Sequence, residues 1–279
     1  MIHFQDVWFD YSPEITPEEQ WNLRKISLSI QPGEYLALIG KNGSGKSTLA
    51  RLCNGLLLPD RGQVVIDGHS TANPDHIWEV RRKVGLIFQN PDNQIVGATV
   101  ADDIAFGLEN IGCPTAEIRE RVDYAMSQMG LTAFADRSPD QLSGGQKQRL
   151  AIASFLALQP QVMIFDEATT MIDPQGRAEI LQIIDKLHQD GKTILHITHS
   201  LAEAMKAERI LLLDQGECCL DFRSADILQV WEPLQQYAVD FPPMLLVAKH
   251  LHDWGYPIDI KHRQPTEMVE ELWKLHLKK

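Results

Sequence analysis

Two hydrophobic rhythms alternate along this chain. "MIHFQDVWFDY" and "LRKISLSI" switch apolar and polar residues one by one and read as half-buried strands, separated by the proline- and glutamate-rich loop "SPEITPEEQ". "YLALI", "VGLIF", "VMIF", "TILHIT" and "RILLL" are instead continuous apolar runs, as expected of strands covered on both faces of a parallel sheet. "QVVIDG" is also strand-like. Helical periods fill the gaps: residues 47–58, "DHIWEVRRK", "PQGRAEILQIIDKLHQDG" and "SLAEAMKA". From Asn90 to about Pro160 the pattern turns wholly helical, with "TVADDIAFGLENIG", "TAEIRERVDYAMSQMG" and "SGGQKQRLAIASFLALQ" closed near Gly112, Gly130 and Pro160. The alternation predicts a mostly parallel α/β sheet, fronted by antiparallel strands and interrupted by a helical subdomain. After Gly216 a tail is expected, with "PTEMVEELWKL", residues 265–275, as its clearest helix.

Composition narrows this picture little. With 44% hydrophobic and 23% charged residues among 279, the chain is an ordinary globular protein that can bury a full core. Lys and Arg number 26 against 38 Asp and Glu, a net charge of -12 with no basic tract, which disfavours nucleic acid as the partner. No run of 18 apolar residues and no leader-like N-terminus is visible, so a cytoplasmic location is expected. Cys53, Cys113, Cys218 and Cys219 show no CxxC spacing and are expected as reduced thiols.

Chemistry enters at "GKNGSGKST": Gly40, Lys41, Asn42, Gly43, Ser44, Gly45, Lys46, Ser47 and Thr48. The stretch satisfies GxxxxGK[ST] directly after a buried strand and before a helix, the context that makes the motif specific. Its glycines let backbone N–H groups turn inward on phosphates, and the helix start adds positive potential. Lys46 is expected to neutralise the β- and γ-phosphates of ATP, and the Ser47 hydroxyl to ligate Mg²⁺. "VMIFDE" is the natural complement, a strand ending in two carboxylates at the sheet edge where α/β folds bind ligands. Asp166 is expected to hold Mg²⁺ or one of its waters, and Glu167 to polarise the attacking water as general base.

A second anion grip follows in "LSGGQKQRL", where Ser143 is a good N-cap and Gly144 and Gly145 allow close approach. Alone it would pass for an ordinary capped helix. Between the phosphate loop and "VMIFDE", it resembles the signature motif of ATP-binding-cassette (ABC) proteins. Gln89 after "VGLIF" then resembles the Q-loop glutamine, Asp173 in "TTMIDP" the D-loop aspartate, and His199 after "ILHIT" the switch histidine. The resemblance implies a P-loop NTPase (RecA-like) α/β core with an N-terminal antiparallel β subdomain. A nucleotide-binding domain over residues 1–216, with its helical subdomain at about 90–160, would precede a C-terminal helical extension over 217–279 used in dimerisation. It also implies a head-to-tail pair of ATPase subunits, in which Ser143, Gly144, Gly145 and Gln146 hold the γ-phosphate bound to the partner. Gln89 would sense Mg²⁺, His199 would contact the γ-phosphate beside Glu167, and Tyr11 would stack on adenine, with Trp8 and Phe9 close by and open to a simple core reading.

The stretch "FQNPDNQIVGATVADDIAFGLEN", with "WEVRRKVGLIFQNPDNQ" and "HLHDWGYPIDI...TEMVEELW", is more specific still. It resembles the ATPases of energy-coupling-factor (ECF) transporters and related cobalt and nickel importers. That implies a transmembrane coupling subunit, a substrate-binding membrane subunit and a place at the cytoplasmic face of the membrane. The partner ATPase is either a second copy or a related chain. Asp92, Asp102 and Asp103 are candidates to receive arginines of the coupling subunit, or are simply solvated helix-start charges. "TTMIDP" and "THS" depart from the commoner family patterns, yet every catalytic position is filled, so hydrolysis is expected. The alternatives are the ATPase of another ABC transporter class and a nucleic-acid-linked ABC ATPase.

Overall fold

The computed structural model describes residues 2–237, 239–256, Glu270 and Trp273. The helix expected over 265–275 falls, those two residues apart, outside the described residues. In chain order the first elements are β1 (Ile2–Phe9), β2 (Leu23–Ile30), β3 (Tyr35–Ile39), α1 (Lys46–Cys53), β4 (Arg61–Ile66), β5 (His69–Ser70), α2 (Ile77–Lys83) and β6 (Val84–Ile87). Helices α3 (Val100–Asn110), α4 (Thr115–Gln128) and α5 (Gly144–Ala157) follow. The chain then returns through β7 (Val162–Asp166), α6 (Pro174–Gln189), β8 (Thr193–Ile197), α7 (Leu201–Ala204), β9 (Arg209–Asp214) and β10 (Glu217–Arg223) to α8 (Trp231–Gln236) and α9 (Pro243–Asp253).

The alternating strands build an antiparallel sheet in the order β2-β1-β4-β5, and the continuous apolar runs build a second, β10-β9-β3-β8-β7-β6. Within the second, β3 pairs parallel with both β8 and β9, and β7 pairs parallel with β8 and β6. Its parallel strands β3, β6, β7, β8 and β9 are largely apolar because each face has its own core. Tyr35, Ala37, Met163, Phe165, Ile194 and Ile210 face the helical side, with residues of α3, α4, α5 and α6. Leu36, Leu38, Ile164, Leu195 and Leu211 face α1 and the antiparallel sheet. Each buried side chain of this size contributes about 1.5–3 kcal/mol, so neither face tolerates a polar register slip. At Gly85 of β6 an added methyl would meet the Phe155 ring at 3.0 Å, which brings α5 close against the sheet.

Two departures from the expected elements have local causes. Helix α1 ends at Cys53 rather than Leu58, because Asn54 and Gly55 (φ +67°) close a Schellman turn: Leu56 N–H donates to the Arg51 carbonyl at 3.0 Å and Gly55 N–H to that of Leu52 at 3.3 Å. Residues 217–223, expected to begin a helical tail, instead form β10 antiparallel to β9. Gln215 (φ +46°) and Gly216 (φ +80°) make the turn between them, and both positive values mark a two-residue hairpin loop. Only Phe222 of β10 is buried, so the charges of "ECCLDFR" hid its alternation and suit it to a sheet edge. Trp231, Leu234 and Leu245 of α8 and α9 join the helical-side core.

Candidate active site

The loop between β3 and α1 is shaped by Gly40 (φ +153°), Gly43 (φ +80°) and Gly45 (φ +104°). A methyl on Gly40 would lie 2.1 Å from the Leu213 carbonyl oxygen, and one on Gly45 2.6 Å from that of Asn22, so the loop is pressed onto other backbone. Gly40→Ala is therefore expected to cost roughly 1–3 kcal/mol of stability and to abolish the ATP-dependent rise in Tm, both read by thermal unfolding with and without nucleotide. Lys46 is 4% exposed, and its Nζ donates to the Gly40 and Lys41 carbonyls at 3.0 and 2.9 Å and stands 3.7 Å from Glu167 Oε1. Burial pulls its pKa down, opposed by the charges of Glu167 and Asp166. Ser44 Oγ is buried with no hydrogen-bond partner among the described residues. An ammonium held by carbonyls and an unsatisfied hydroxyl inside a glycine loop are what a phosphate-binding cradle needs.

Asp166 ends β7 with Oδ1 accepting from Ser47 Oγ at 2.9 Å, which joins two oxygen donors that are far apart in sequence. Burial raises the Asp166 carboxyl pKa, the adjacent Glu167 charge adds to this, and Ser47, Arg51 and Lys46 oppose it. A hydroxyl and a carboxylate are hard donors suited to Mg²⁺, which takes few protein ligands and fills its octahedron with water and phosphate oxygens. Glu167 adopts φ +52° with its N–H held by the Ile197 carbonyl at 3.0 Å. A left-handed non-glycine residue costs about 1–3 kcal/mol. The turn places Glu167 at a mouth lined also by Gly40, Lys41, Asn42, Gln89 and His199. Thr170, Tyr237, Val239 and Asp240 line the same mouth, although no motif in the sequence marks them.

Of the three N-terminal aromatics, Phe9 is buried and Trp8 stacks edge-on to Trp21, whereas the Tyr11 ring is 53% exposed. Its hydroxyl lies 3.3 Å from both Thr48 Oγ1 and Arg51 Nη1, beside α1. The ring is thus presented next to the phosphate loop.

The second grip is a capping box: Gln146 N–H donates to Ser143 Oγ at 3.3 Å, and Ser143 N–H donates to Gln146 Oε1 at 2.9 Å. Ser143 and Gly144 are exposed, and none of Ser143, Gly144, Gly145 and Gln146 lines the mouth described above. The glycines instead pack on the segment before α6, where a methyl on Gly145 would lie 3.4 Å from Ile172 Cγ2 and one on Gly144 3.6 Å from the Met171 carbonyl. Asp173 caps α6, with Oδ1 accepting from Gln175 and Gly176 N–H at 3.0 Å each. Along its length α5 is stitched to the Gln89 segment. Gln148 Nε2 donates to the Phe88 carbonyl at 3.3 Å, Gln94 Nε2 to that of Ala151 at 3.4 Å, and Lys147 pairs with Asp92 at 2.6 Å. Asp103 is buried in this seam: it accepts from Val96 and Gly97 N–H at 2.7 and 2.9 Å and from Ser154 Oγ at 2.9 Å. It is therefore not free to receive a partner's arginine, whereas Asp102 stays exposed in the first turn of α3.

A chemical cluster that no motif announced lies behind the mouth. Glu203 on α7 is 3% exposed, and Thr169, Thr198 and Arg177 all converge on its carboxylate. Its only signal in the sequence is a glutamate on the inner face of the short helix "SLAEAMKA".

Comparison with known proteins agrees with this geometry. Residues 23–170 match a family model described as ABC transporter. The energy-coupling factor transporter ATP-binding protein EcfA1 of Bacillus subtilis (strain 168) is 43% identical over 279 residues, covering 100% of this chain and 98% of that protein. The protein of that name from Enterococcus faecalis is 44% identical over 282 residues, covering 100% and 99%. Among solved structures, cbiO1 of Clostridium perfringens, part of the ABC transporter complex cbiONQ, superposes with a TM-score of 0.74 at 31% identity, covering 90% of this chain and 98% of that one. The ATP-binding cassette MJ0796, a post-hydrolysis dimer bound to ADP and Pi, gives a TM-score of 0.72 at 33% identity, covering 80% and 99%.

Proposed function

This chain belongs to the ABC transporter family, among the energy-coupling-factor ATP-binding proteins, and on that premise we propose that it supplies two unlike halves of two shared ATP sites. It binds and hydrolyses ATP to power an importer of the energy-coupling-factor type, for vitamins or transition-metal ions. Its own half holds the nucleotide: the loop Gly40–Thr48 wraps the phosphates, Lys46 neutralises their charge, and Tyr11 takes the adenine. Mg²⁺, held by Ser47 and Asp166 with Gln89 near by, would neutralise charge building on the β- and γ-phosphates. Glu167 accepts the proton of the attacking water, and His199 orients on the γ-phosphate from the other side of the mouth. The other half is offered outward, with Ser143, Gly144 and Gly145 completing the site of a partner ATPase while Asp173 and Met171 meet that partner.

One observation carries this reading: Asp166 meets Ser47 of the phosphate loop, and Glu167, Gln89 and His199 line one mouth with that loop, while the signature helix start is exposed elsewhere on the same chain. Two grips that do not share a pocket need a second subunit. No described helix is long and apolar enough to cross a membrane, so translocation falls to membrane partners: a coupling subunit and a substrate-binding subunit, reached from the cytoplasmic face. Residues 217–279, which begin with β10, are the proposed dimerisation extension, and Asp102 is the aspartate left without an ion pair among the described residues for basic side chains of the coupling subunit, Asp92 being paired with Lys147.

Co-expression with the membrane coupling protein and a second ATPase chain tests the proposal. We expect a co-purifying complex whose ATP hydrolysis stops when EDTA removes Mg²⁺ and resumes when it is restored. An equally active isolated monomer, or a chain that never co-purifies with a membrane subunit, would contradict it.

A further inference from the structure

The Glu203 carboxylate accepts from Thr169 Oγ1 at 3.0 and 3.1 Å, from Thr198 Oγ1 at 2.8 Å and from Arg177 Nε at 2.5 Å. His196 Nε2 stands 3.5 Å from Oε2, and His196 Nδ1 is 3.1 Å from the Tyr35 hydroxyl, so the cluster is anchored in β3 and β8. A buried carboxylate without partners would be costly; this one is satisfied by groups from several segments. Burial pushes its pKa up, but His196, Thr198 and Arg177 outweigh that and hold it down at about 2. Glu203 is therefore ionised in any ordinary buffer.

What matters is where the donors sit. Thr169 is two residues beyond Glu167, Thr198 immediately precedes His199, and Arg177 lies in the first turn of α6, just beyond Asp173. The Glu203 carboxylate joins all three segments through its oxygens, and Glu203 itself does not line the mouth. We propose that Glu203 is a positioning residue for ATP hydrolysis: its carboxylate sets the placement of Glu167 relative to His199 and ties both to the α6 start that carries Asp173. The inference rests on the ATPase reading above. It follows from a geometric argument, because a small misplacement of a base or orienting group lowers turnover without weakening the phosphate cradle that binds ATP. Arg177, which is partly exposed, extends the tie towards the surface on which a partner is expected.

The test uses the full chain in the assembled complex. Glu203→Gln keeps the shape and removes the charge; Thr169→Val and Thr198→Val each delete one donor and serve if Glu203→Gln fails to fold. Each variant is expected to lower kcat, by about 10–100-fold for Glu203→Gln, while KM and the Kd for ATP move less than about threefold. Single-turnover rates supply a second readout. In a Glu167→Gln background, Glu203→Gln should add little further loss, because it acts through the residue already removed. Wild-type kcat in the folded Glu203 or threonine variants, or losses that add fully to that of Glu167→Gln, would overturn the positioning role while leaving the ATPase reading intact. Absence of hydrolysis by the wild-type complex would remove that reading and this inference together.

Discussion

Glu167→Gln in this subunit is expected to slow hydrolysis at its own site by roughly 10²–10⁴-fold, the usual contribution of a positioned general base. ATP affinity should change little. The Ser47–Asp166 hydrogen bond and the carbonyl contacts of Lys46 Nζ, proposed to serve Mg²⁺ and the phosphates, remain, while the 3.7 Å Lys46–Glu167 ion pair loses its negative partner. Glutamine also keeps the left-handed turn at φ +52° within reach, since the backbone N–H is held by Ile197 whichever side chain is present. The measurement is single-turnover hydrolysis alongside equilibrium nucleotide binding. The complex should accumulate with ATP bound, and near-normal turnover would remove Glu167 from the role of base. One electrostatic consequence sharpens the test. The Glu167 charge raises the Asp166 pKa and helps to keep Lys46 protonated. Removing it should lower the Asp166 pKa and, with one supporting charge gone, that of Lys46 as well.

Ser143→Arg is expected to be as damaging, but on the far side of the dimer. The exposed Ser143 caps α5 through Gln146, and arginine removes that cap, at about 0.5–2 kcal/mol, while placing a long cation where, on the proposed arrangement, the partner's γ-phosphate approaches. Hydrolysis at the partner's phosphate loop should fall by at least about 100-fold, whereas this chain's own loop should still bind ATP, because Ser143 does not line it. Photo-crosslinking of labelled ATP to each subunit separates the two effects when the partner is a distinguishable chain. Loss of binding at this chain's own loop would contradict the trans arrangement. Ser143→Ala distinguishes lost capping from blocked access, because it weakens the cap without filling the interface.

What was readable from sequence was whatever depends on neighbours within one turn or one strand. The strands "YLALI" and "VMIFD" announced themselves because both faces are buried, and Gly40, Gly43 and Gly45 because only glycine suits their φ values. The Ser143–Gln146 box was likewise half visible, since Ser143 has the chemistry of an N-cap. Features that depend on distant partners were not. β10 exists because β9 offers it an edge, and its mixed "ECCLDFR" pattern carries no period of its own. Asp103 looked like its neighbour Asp102, and only the fold directs it into the seam with Ser154 and Gly97. The cluster at Glu203 needs groups 5 to 34 residues away. Tyr237, Val239 and Asp240 line the mouth from beyond β10, far in sequence from the glycine loop beside them.

The seam between α5 and residues 88–103 bears on how many independent motions this subunit has. Six side chains, Asp92, Gln94, Asp103, Lys147, Gln148 and Ser154, bridge that segment to the helix or anchor its turns, and the helix is capped by Ser143. A displacement of the Gln89 segment therefore drags the signature end with it, and the reverse holds equally. In mechanical terms the two are one lever arm. On the proposed roles, sensing a nucleotide at its own mouth and presenting Ser143 to a neighbour would then be a single degree of freedom.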